Sequence, residues 1–477
     1  MRQGALSFKE KVAYGMGDAG CNMIWGTITL FLSYFYTDIF GLAPALVGVM
    51  LLSVRVIDAV SDPIMGAIAD RTTTRWGRFR PYLLWISLPF ALFSILMFST
   101  PDWSYSSKVI YAFATYFLMS LTYTAINIPY CSLGGVITAD PKERVSCQSY
   151  RFFMVGIATL ILSSSLLPMA QWFGGADKAR GYQMSIAVMA VIALMMFLFC
   201  FSSVKERIHP AVPTQRALKS DLKDVWKNDQ WVRILLLTFC NVCPGFIRMA
   251  ATMYYVTWVM EKSNSFASLF ISLGVIGMMI GSALAKPLTD RFCKLKVFFW
   301  TNIILTLFSC GFYFLDPHLT TLILVAYFVL NILHQLPSPL HWSLMADVDD
   351  YGEWKTGKRS TGISFSGNLF FLKCGLAVAG AMVGFLLSLY GYQGGATSQT
   401  ARALNGIVLL FTVIPGIGYL ITACVVKLLK VDRELMKTIQ ADLELRRRNF
   451  HDLNTYPEAK QGTTELPVFA SKEPKHE

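Results

Sequence analysis

The chain reads as an all-α polytopic membrane protein, with twelve transmembrane helices in two pseudo-symmetric six-helix bundles. Three features carry this reading. Hydrophobic residues make up 54% of the 477 and charged residues only 15%, too little charge to coat a soluble protein of this length. Apolar stretches that approach the roughly 20 residues needed to cross a bilayer recur from end to end. Examples are "LLWISLPFALFSILMF", "SIAVMAVIALMMFLFCF" and "GIVLLFTVIPGIGYLITACVV". The loops between such stretches alternate between strongly basic and nearly uncharged.

The first span covers about 12–36. Its flank, "MRQGALSFKEKVAYG", has no signal-peptide core or small-residue cleavage site, so the first helix is expected to insert the chain. The second span, 44–68, runs into Arg71, Arg75, Arg78 and Arg80, whereas Lys108 is the one base between the third, 81–99, and the fourth, 108–132. Lys142 and Arg144 precede the fifth, 148–170, and Lys178 and Arg180 the sixth, 182–202. Lys205, Arg207, Arg216, Lys219, Lys223 and Lys227 then lead to the seventh, 232–258. Lys262 precedes the eighth, 266–288, and Arg291, Lys294 and Lys296 precede the ninth, 297–315. The tenth, 320–345, is followed by Lys355, Lys358 and Arg359, and Arg402 lies between the eleventh, 363–390, and the twelfth, 405–428. Basic loops stay in the cytoplasm, so both termini are expected inside, in a cell (inner) membrane. The net charge of +12 is then a topology signal rather than a nucleic-acid footprint.

The longest internal loop divides the helices six and six. The expected domains are 1–202, a linker 203–231, a second bundle 232–430 and a cytoplasmic tail 431–477. The halves echo each other. "ADRTTTRWGRFRP" after the second helix resembles "TDRFCKLKVFF" after the eighth, and "DPKERVSCQSYR" corresponds to "DDYGEWKTGKRS". Two parallel six-helix repeats are the layout of the major facilitator fold. The tail, with "ELRRRNF", is expected to begin as an amphipathic helix and end disordered. The ten cysteines are scattered, and Cys240 and Cys243 have no matching second pair, so they read as small hydrophobes rather than a metal site.

Two acids stand out. Asp58 and Asp62 are four apart and share one face of the second helix, with Arg55 a turn earlier. An ionisable group at the bilayer centre costs about 2.5–3.5 kcal/mol even on lenient scales. Arg55 neutralises one acid as a charge partner; the other needs Arg151 or Lys373. A carboxylate pair offers oxygen ligands to a monovalent cation, or repulsion raises one acid's proton affinity and makes it a proton carrier. Ser61, Thr124 and Asn127 can add neutral oxygens. At the basic loop, Asp70 and Arg71 are gating candidates whose ion pairs would break as the halves rock.

At these residues a family resemblance emerges. "YGMGDAGCN", "FYTDIFG", "VRVIDAVSDPIMG", "DRTTTRWGRFRP", "NIPYCSLGGVIT" and "DYGEWKTGKRSTGISFS" resemble the glycoside–pentoside–hexuronide:cation symporters, over roughly residues 7–430. The resemblance implies a secondary active transporter importing a sugar or glycoside with H⁺ or Na⁺, not an enzyme, with no cofactor and no metal apart from Na⁺ at Asp58 and Asp62. It places the family's paired cation acids at Asp58 and Asp62, its fourth-helix threonine at Thr124 and a sugar-site aromatic at Tyr123. Its fifth-helix arginine falls at Arg151 and its eleventh-helix lysine at Lys373. In melibiose permease the residue between the acids is asparagine, here Ser61. A third acid falls at Asn127, the sugar-binding acid of the first helix at Asn22, and a tryptophan at Cys131. Asp18, one turn before Asn22, is present instead. Sugars need hydrogen-bonding partners for their hydroxyls and an aromatic face for the ring. Asp18, Asn22, Tyr123, Arg151, Trp342, Lys373 and Arg248 supply those types as substrate-binding candidates. One carboxylate suffices to carry a proton, so H⁺ is favoured over Na⁺.

Rival assignments have less to stand on. "GMGDAG" fits a dinucleotide fingerprint but opens an apolar helix, with no strand before it. An amphiphile such as a lysolipid, moved on the same fold, would suit an apolar cavity better than these polar groups. A membrane sensor would need a signalling domain, for which the tail is short. One chain of twelve helices can enclose a whole pathway, so a functional monomer is expected, with the bilayer and a small-molecule sugar as partners and no nucleic acid.

Overall fold

The computed structural model describes residues 6–175, 177–208, 225–393 and 398–455. The first half consists of α1 (Phe8–Tyr34), α2 (Pro44–Arg71), a third span broken into α3 (Arg80–Trp85) and α4 (Ser87–Met97), then α5 (Tyr105–Val136), α6 (Pro141–Gly174) and α7 (Lys178–Ser203). The second half is α8 (Asp229–Tyr254), α9 (Asn264–Arg291), α10 (Lys294–Gly311), a tenth span broken into α11 (Thr320–Gln335) and α12 (Pro337–Thr356), α13 (Thr361–Leu389), and a twelfth broken into α14 (Ala401–Phe411) and α15 (Val413–Val426). A tail helix, α16 (Arg433–Thr455), follows. Residues 209–224 of the expected linker and 456–477 of the tail lie outside the described residues.

Each predicted span contains helix, but several run further than hydropathy suggests. The tenth continues to Thr356 rather than 345, and the fifth begins at Pro141 rather than 148. These extensions, "ADVDDYGEWKT" and "PKERVSC", are too polar to read as membrane spans. They stay helical because their charges are buried against each other, as described below. Local chemistry sets the starts. Ser7 and Glu10 form a capping box on α1, Asp140 caps α6 ahead of Pro141, and Asn228 caps α8.

The two halves share a detail that the sequence echo did not suggest. A five-residue π-helical turn, Phe35–Ile39, extends α1, and another, Tyr255–Val259, extends α8 at the corresponding point of the second half. The wider turn re-aims the chain before the next span.

The packing is asymmetric between the two ends of the molecule. One continuous apolar cluster joins the first half to the second half at the basic-loop end, including Val136, Leu340, Leu344, Ile363 and Phe365. The opposite end of the second half packs on its own, around Tyr255, Phe270, Tyr327 and Phe411. Among the described residues, every hydrogen bond and ion pair between halves lies at the basic end or mid-membrane.

At the basic end, α2 meets α13 with no side chain between them. A Cβ on Gly362 would overlap the Gly66 carbonyl, and a Cβ on Gly66 would stand 2.6 Å from Ser366 Oγ. This approach lets Asp70 cap a helix of the other half. Its oxygens accept from the Gly362 and Ile363 backbone N–H groups at 2.7 and 3.0 Å. α13 needs that cap, since Ser360 at its own N-cap makes no side-chain bond.

Beside it, Arg144 of α6 pairs with Asp347 at 3.0 Å and Asp350 at 2.7 Å. Arg359 pairs with Asp349, Asp350 and Glu353 at 3.0, 2.6 and 2.8 Å, and donates to the Gly135 carbonyl at 2.8 Å. The expected tail helix is present. α16 buries Met436, Ile439 and Leu443, takes a hydrogen bond from Trp354 on Asp442 at 2.8 Å, and donates from Gln440 to the Ala139 carbonyl of the first half at 2.7 Å.

Gly362→Val is expected to push α13 off α2 and strip Asp70 of its donors, at about 1–3 kcal/mol for a buried group left unsatisfied. Thiol labelling of a Ser366→Cys reporter should then rise about tenfold or more, since 1.4 kcal/mol is tenfold in an equilibrium. Unchanged labelling would refute the contact.

Candidate coupling and substrate site

Asp58 and Asp62 project from one face of α2 and are 2% and 0% exposed. α5 presents two hydroxyls at the same spacing. Ser120 donates to Asp58 Oδ1, and Thr124 donates to Asp62 Oδ1 at 3.0 Å. The remaining side is closed by Lys373 of α13. Its Nζ lies 2.7 Å from Asp62 Oδ2 and 3.6 Å from Asp58 Oδ2. Two buried acids of one half therefore share one base of the other. Lys373 sits twelve residues into its helix, about 18 Å at 1.5 Å per residue, near mid-membrane. Each carboxylate has Oδ1 held by a hydroxyl of α5 and Oδ2 turned to the ammonium, so the pair can take a proton or a small monovalent cation once the ammonium moves aside.

Other expected members sit differently. The Ser61 hydroxyl donates to the Asp58 backbone carbonyl at 3.3 Å rather than facing the carboxylates. Asn127 accepts from Cys131 Sγ at 3.3 Å, a turn beyond Thr124. The side chain of Arg55 lies outside the described residues.

A second cluster adjoins the first. Arg151 of α6 donates from Nε to Asp18 Oδ2 at 2.7 Å, from Nη1 to Gln148 at 3.3 Å and from Nη2 to Cys131 at 3.6 Å. Its guanidinium lies 4.4 Å from the Trp342 ring, so this tryptophan meets the first half. Asn22 donates to the Asp18 carbonyl at 2.9 Å. Tyr123 stacks on Trp25 with ring centres 4.4 Å apart. Cys131 stands 3.6 Å from Arg151 Nη2 and 3.3 Å from Asn127, a turn beyond Thr124 on α5, which joins the two clusters along that helix.

Two expected members have other partners than the sequence suggests. Arg248 binds no group near the shared site. It donates to the Phe411 carbonyl at 3.0 Å, to Tyr419 at 3.4 Å and to Ser309, all within the second half. These bonds tie α8 to the third and sixth spans of its own bundle. Asp70 faces the start of α13. Its partners are backbone N–H groups, and Arg71 donates to the Ala67 carbonyl at 2.9 Å.

Sequence reasoning missed Ser120 and Trp25. Ser120 stands four before Thr124 on α5, the same interval as the acids it serves. Trp25 stands seven after Asp18 on α1, on the same face. Both signals were readable as helix-face spacing.

Comparison with known proteins gives the family. A family model described as MFS/sugar transport protein covers residues 13–433. The chain is 46% identical to the inner membrane symporter YicJ of Escherichia coli K12, over 90% of this chain and 92% of that one. It is 38% identical to the putative glycoside/cation symporter YagG of the same organism, over 87% and 90%. It is 33% identical to the isoprimeverose transporter of Lactiplantibacillus pentosus, over 92% of each. Among solved structures it resembles FucP in the outward conformation, with a TM-score of 0.63 at 13% identity over 87% of this chain and 98% of that one, which establishes the major facilitator fold. The chain belongs to the MFS/sugar transport protein family, among its glycoside–pentoside–hexuronide:cation symporters.

Proposed function

We propose that the protein imports a sugar or glycoside by symport with a monovalent cation, H⁺ in preference to Na⁺, through alternating access to a central site. One observation carries the proposal: Asp58 and Asp62 of the first half share Lys373 of the second. An empty site is held by the lysine across the interface, and a loaded one by the imported cation. Cation binding thus loosens a contact between halves. Glycoside is favoured over the amphiphile by the relatives named for glycosides and by the polar ring of Asp18, Asn22, Tyr123 and Arg151 beside the acids. Trp342 holds Arg151 in place. Thr124 orients Asp62, while Ser61 and Asn127 contribute only through neighbours.

The gate is Asp70 with the N-terminus of α13, reinforced by the Arg144 and Arg359 pairs. With basic loops on the cytoplasmic side, this structure is closed inwards, and both termini are cytoplasmic in an inner membrane. The bundles are 1–202 and 232–430, joined by 203–231 and followed by the tail 431–477, and one chain is the functional unit. H⁺ is preferred because protonation needs no ligand shell, whereas Na⁺ must displace the ammonium and gather oxygens that Ser61 and Asn127 do not aim at it.

Asp58→Asn and Asp62→Asn should each abolish uphill accumulation in energised cells while the protein still inserts. Counterflow, which needs no net cation gradient, should survive better. Normal accumulation in either variant would remove the coupling role.

Combining Lys373→Ala with Asp62→Asn should impair counterflow less than the single losses predict, by about 0.5–3 kcal/mol of interaction energy for a contacting pair. Strict additivity would place the two groups at separate tasks.

In sodium-free, de-energised cells, adding a transported glycoside should alkalinise the medium, because each sugar enters with a proton. Sodium should leave the apparent sugar affinity nearly unchanged. Sodium-stimulated uptake without a pH change would assign the coupling to Na⁺.

A further inference from the structure

We infer that the cleft between the α2–α3 loop and the end of α7 is a headgroup site for an anionic phospholipid, which Arg75, Arg78 and Lys205 hold by its phosphate. Neither the sugar nor the coupling ion enters into it.

The loop after α2 has a fixed shape. Thr74 donates from Oγ1 to the Gly77 carbonyl at 2.7 Å and accepts from the Trp76 N–H at 3.1 Å. Gly77 completes this turn with a φ of +112°, a region that residues with a Cβ avoid. Glu206, three residues past α7, then straps the loop from the other side. Its Oε2 accepts from the Arg78 N–H at 2.9 Å, and its Oε1 from the Phe79 and Arg80 N–H groups at 2.8 and 2.9 Å. A Cβ on Gly77 would run into that carboxylate. Arg80 donates to the Trp76 carbonyl at 3.3 Å and the Phe201 carbonyl at 2.7 Å, and Trp76 meets the Phe201 ring edge-on.

These contacts leave a cleft of about 390 Å³, within the roughly 300–1,000 Å³ of small-ligand sites. Arg75, Arg78, Arg80, Lys205 and Glu206 are among the residues that line it. Glu206 is engaged by three backbone N–H groups, and Arg80 by two carbonyls. Among the described residues, the side chains of Arg78 and Lys205 have no hydrogen bond or ion pair, and Arg75 has only the Trp76 ring, at 4.3 Å. Topology asks that bases lie on this side of the membrane. It does not ask that they converge on a cleft that lacks acceptors for them. A phosphate supplies those acceptors, in the geometry that a guanidinium fork matches.

The surroundings of the cleft favour a lipid as the source of the phosphate. α3 and α4 continue from Arg80 into the membrane, packed beside α7. Trp85 lies five residues on, about 7.5 Å deeper at 1.5 Å per residue, and is exposed, as an aromatic at the headgroup boundary is. Leu88 and Leu92 of α4 and Met195 and Leu198 of α7 are exposed below it. A basic cleft above exposed apolar stripes suits a molecule with a phosphate at one end and acyl chains at the other. Basic pockets beside membrane helices bind anionic headgroups in this way.

Native mass spectrometry of the delipidated full chain, titrated with dioleoyl phosphatidylglycerol, tests this. The wild type should bind that lipid at least about tenfold more tightly than dioleoyl phosphatidylcholine, which has the same chains and phosphate but adds a cation. Millimolar inorganic phosphate should leave it bound. Each base beside an anionic headgroup contributes about fivefold. Arg75→Gln with Lys205→Gln, both at exposed positions, should therefore weaken binding about 25-fold, and adding Arg78→Gln about a hundredfold in all. Lys142→Gln, Arg291→Gln and Lys296→Gln together remove three exposed bases from other loops on the same side. They should change the affinity less than about threefold, since salt screens exposed charges at a distance. Equal weakening in this control, or phosphatidylcholine binding as tightly as phosphatidylglycerol, would overturn the inference. Displacement by inorganic phosphate would make the cleft a free-anion site and overturn the lipid assignment.

Discussion

A carboxylate held away from water must find donors, and at the seam of this protein several of those donors come from the opposite half. Asp62 takes Lys373, and Asp70 takes two backbone N–H groups at the start of α13. The reverse also holds: Arg144 reaches Asp347 and Asp350 across the interface. Desolvation makes each group costly alone and favourable in company. The halves are therefore held by a small number of exchangeable polar contacts over a shared apolar base. Such contacts can be remade with water or cargo, which a fused hydrophobic core cannot.

The glycine crossing of α2 and α13 sets the geometry for this. Without it, Asp70 could not reach the helix end, and the acids on the same helix would stand further from Lys373. One close approach positions both a terminal cap and a mid-membrane ion pair, about two to three turns apart along α2. Coupling between site and gate then follows from helix rigidity, with no chain of side chains required in between.

Much of this was legible in sequence. The twelve spans followed from hydropathy, the two halves from echoing loop motifs, and the acids of α2 from their incongruity in an apolar run. What escaped depended on partners from distant segments. Nothing near Asp70 reveals that it caps a helix nearly three hundred residues away, and Arg71 was the natural guess. The extension of α12 to Thr356 was hidden because Asp347, Asp349, Asp350 and Glu353 look solvent-bound until Arg144 and Arg359 are placed among them. Arg248 misled for the converse reason: its hydrogen-bond partners are a carbonyl and two hydroxyls, which carry no charge signature in sequence. Ser120 and Trp25 were within reach of a helical-wheel comparison, but only after the partner helix had been identified.

The tail helix has a mechanical consequence. α16 is fastened to α12 through Trp354, buries Met436, Ile439 and Leu443, and reaches the first half through the bond from Gln440 to the Ala139 carbonyl. When the halves pivot apart at this end, Ala139 and Trp354 separate, and one short rigid rod cannot follow both. A rod fastened at two places on α12 and at one on the first half stays with α12, so α16 moves as an outrigger of the second half.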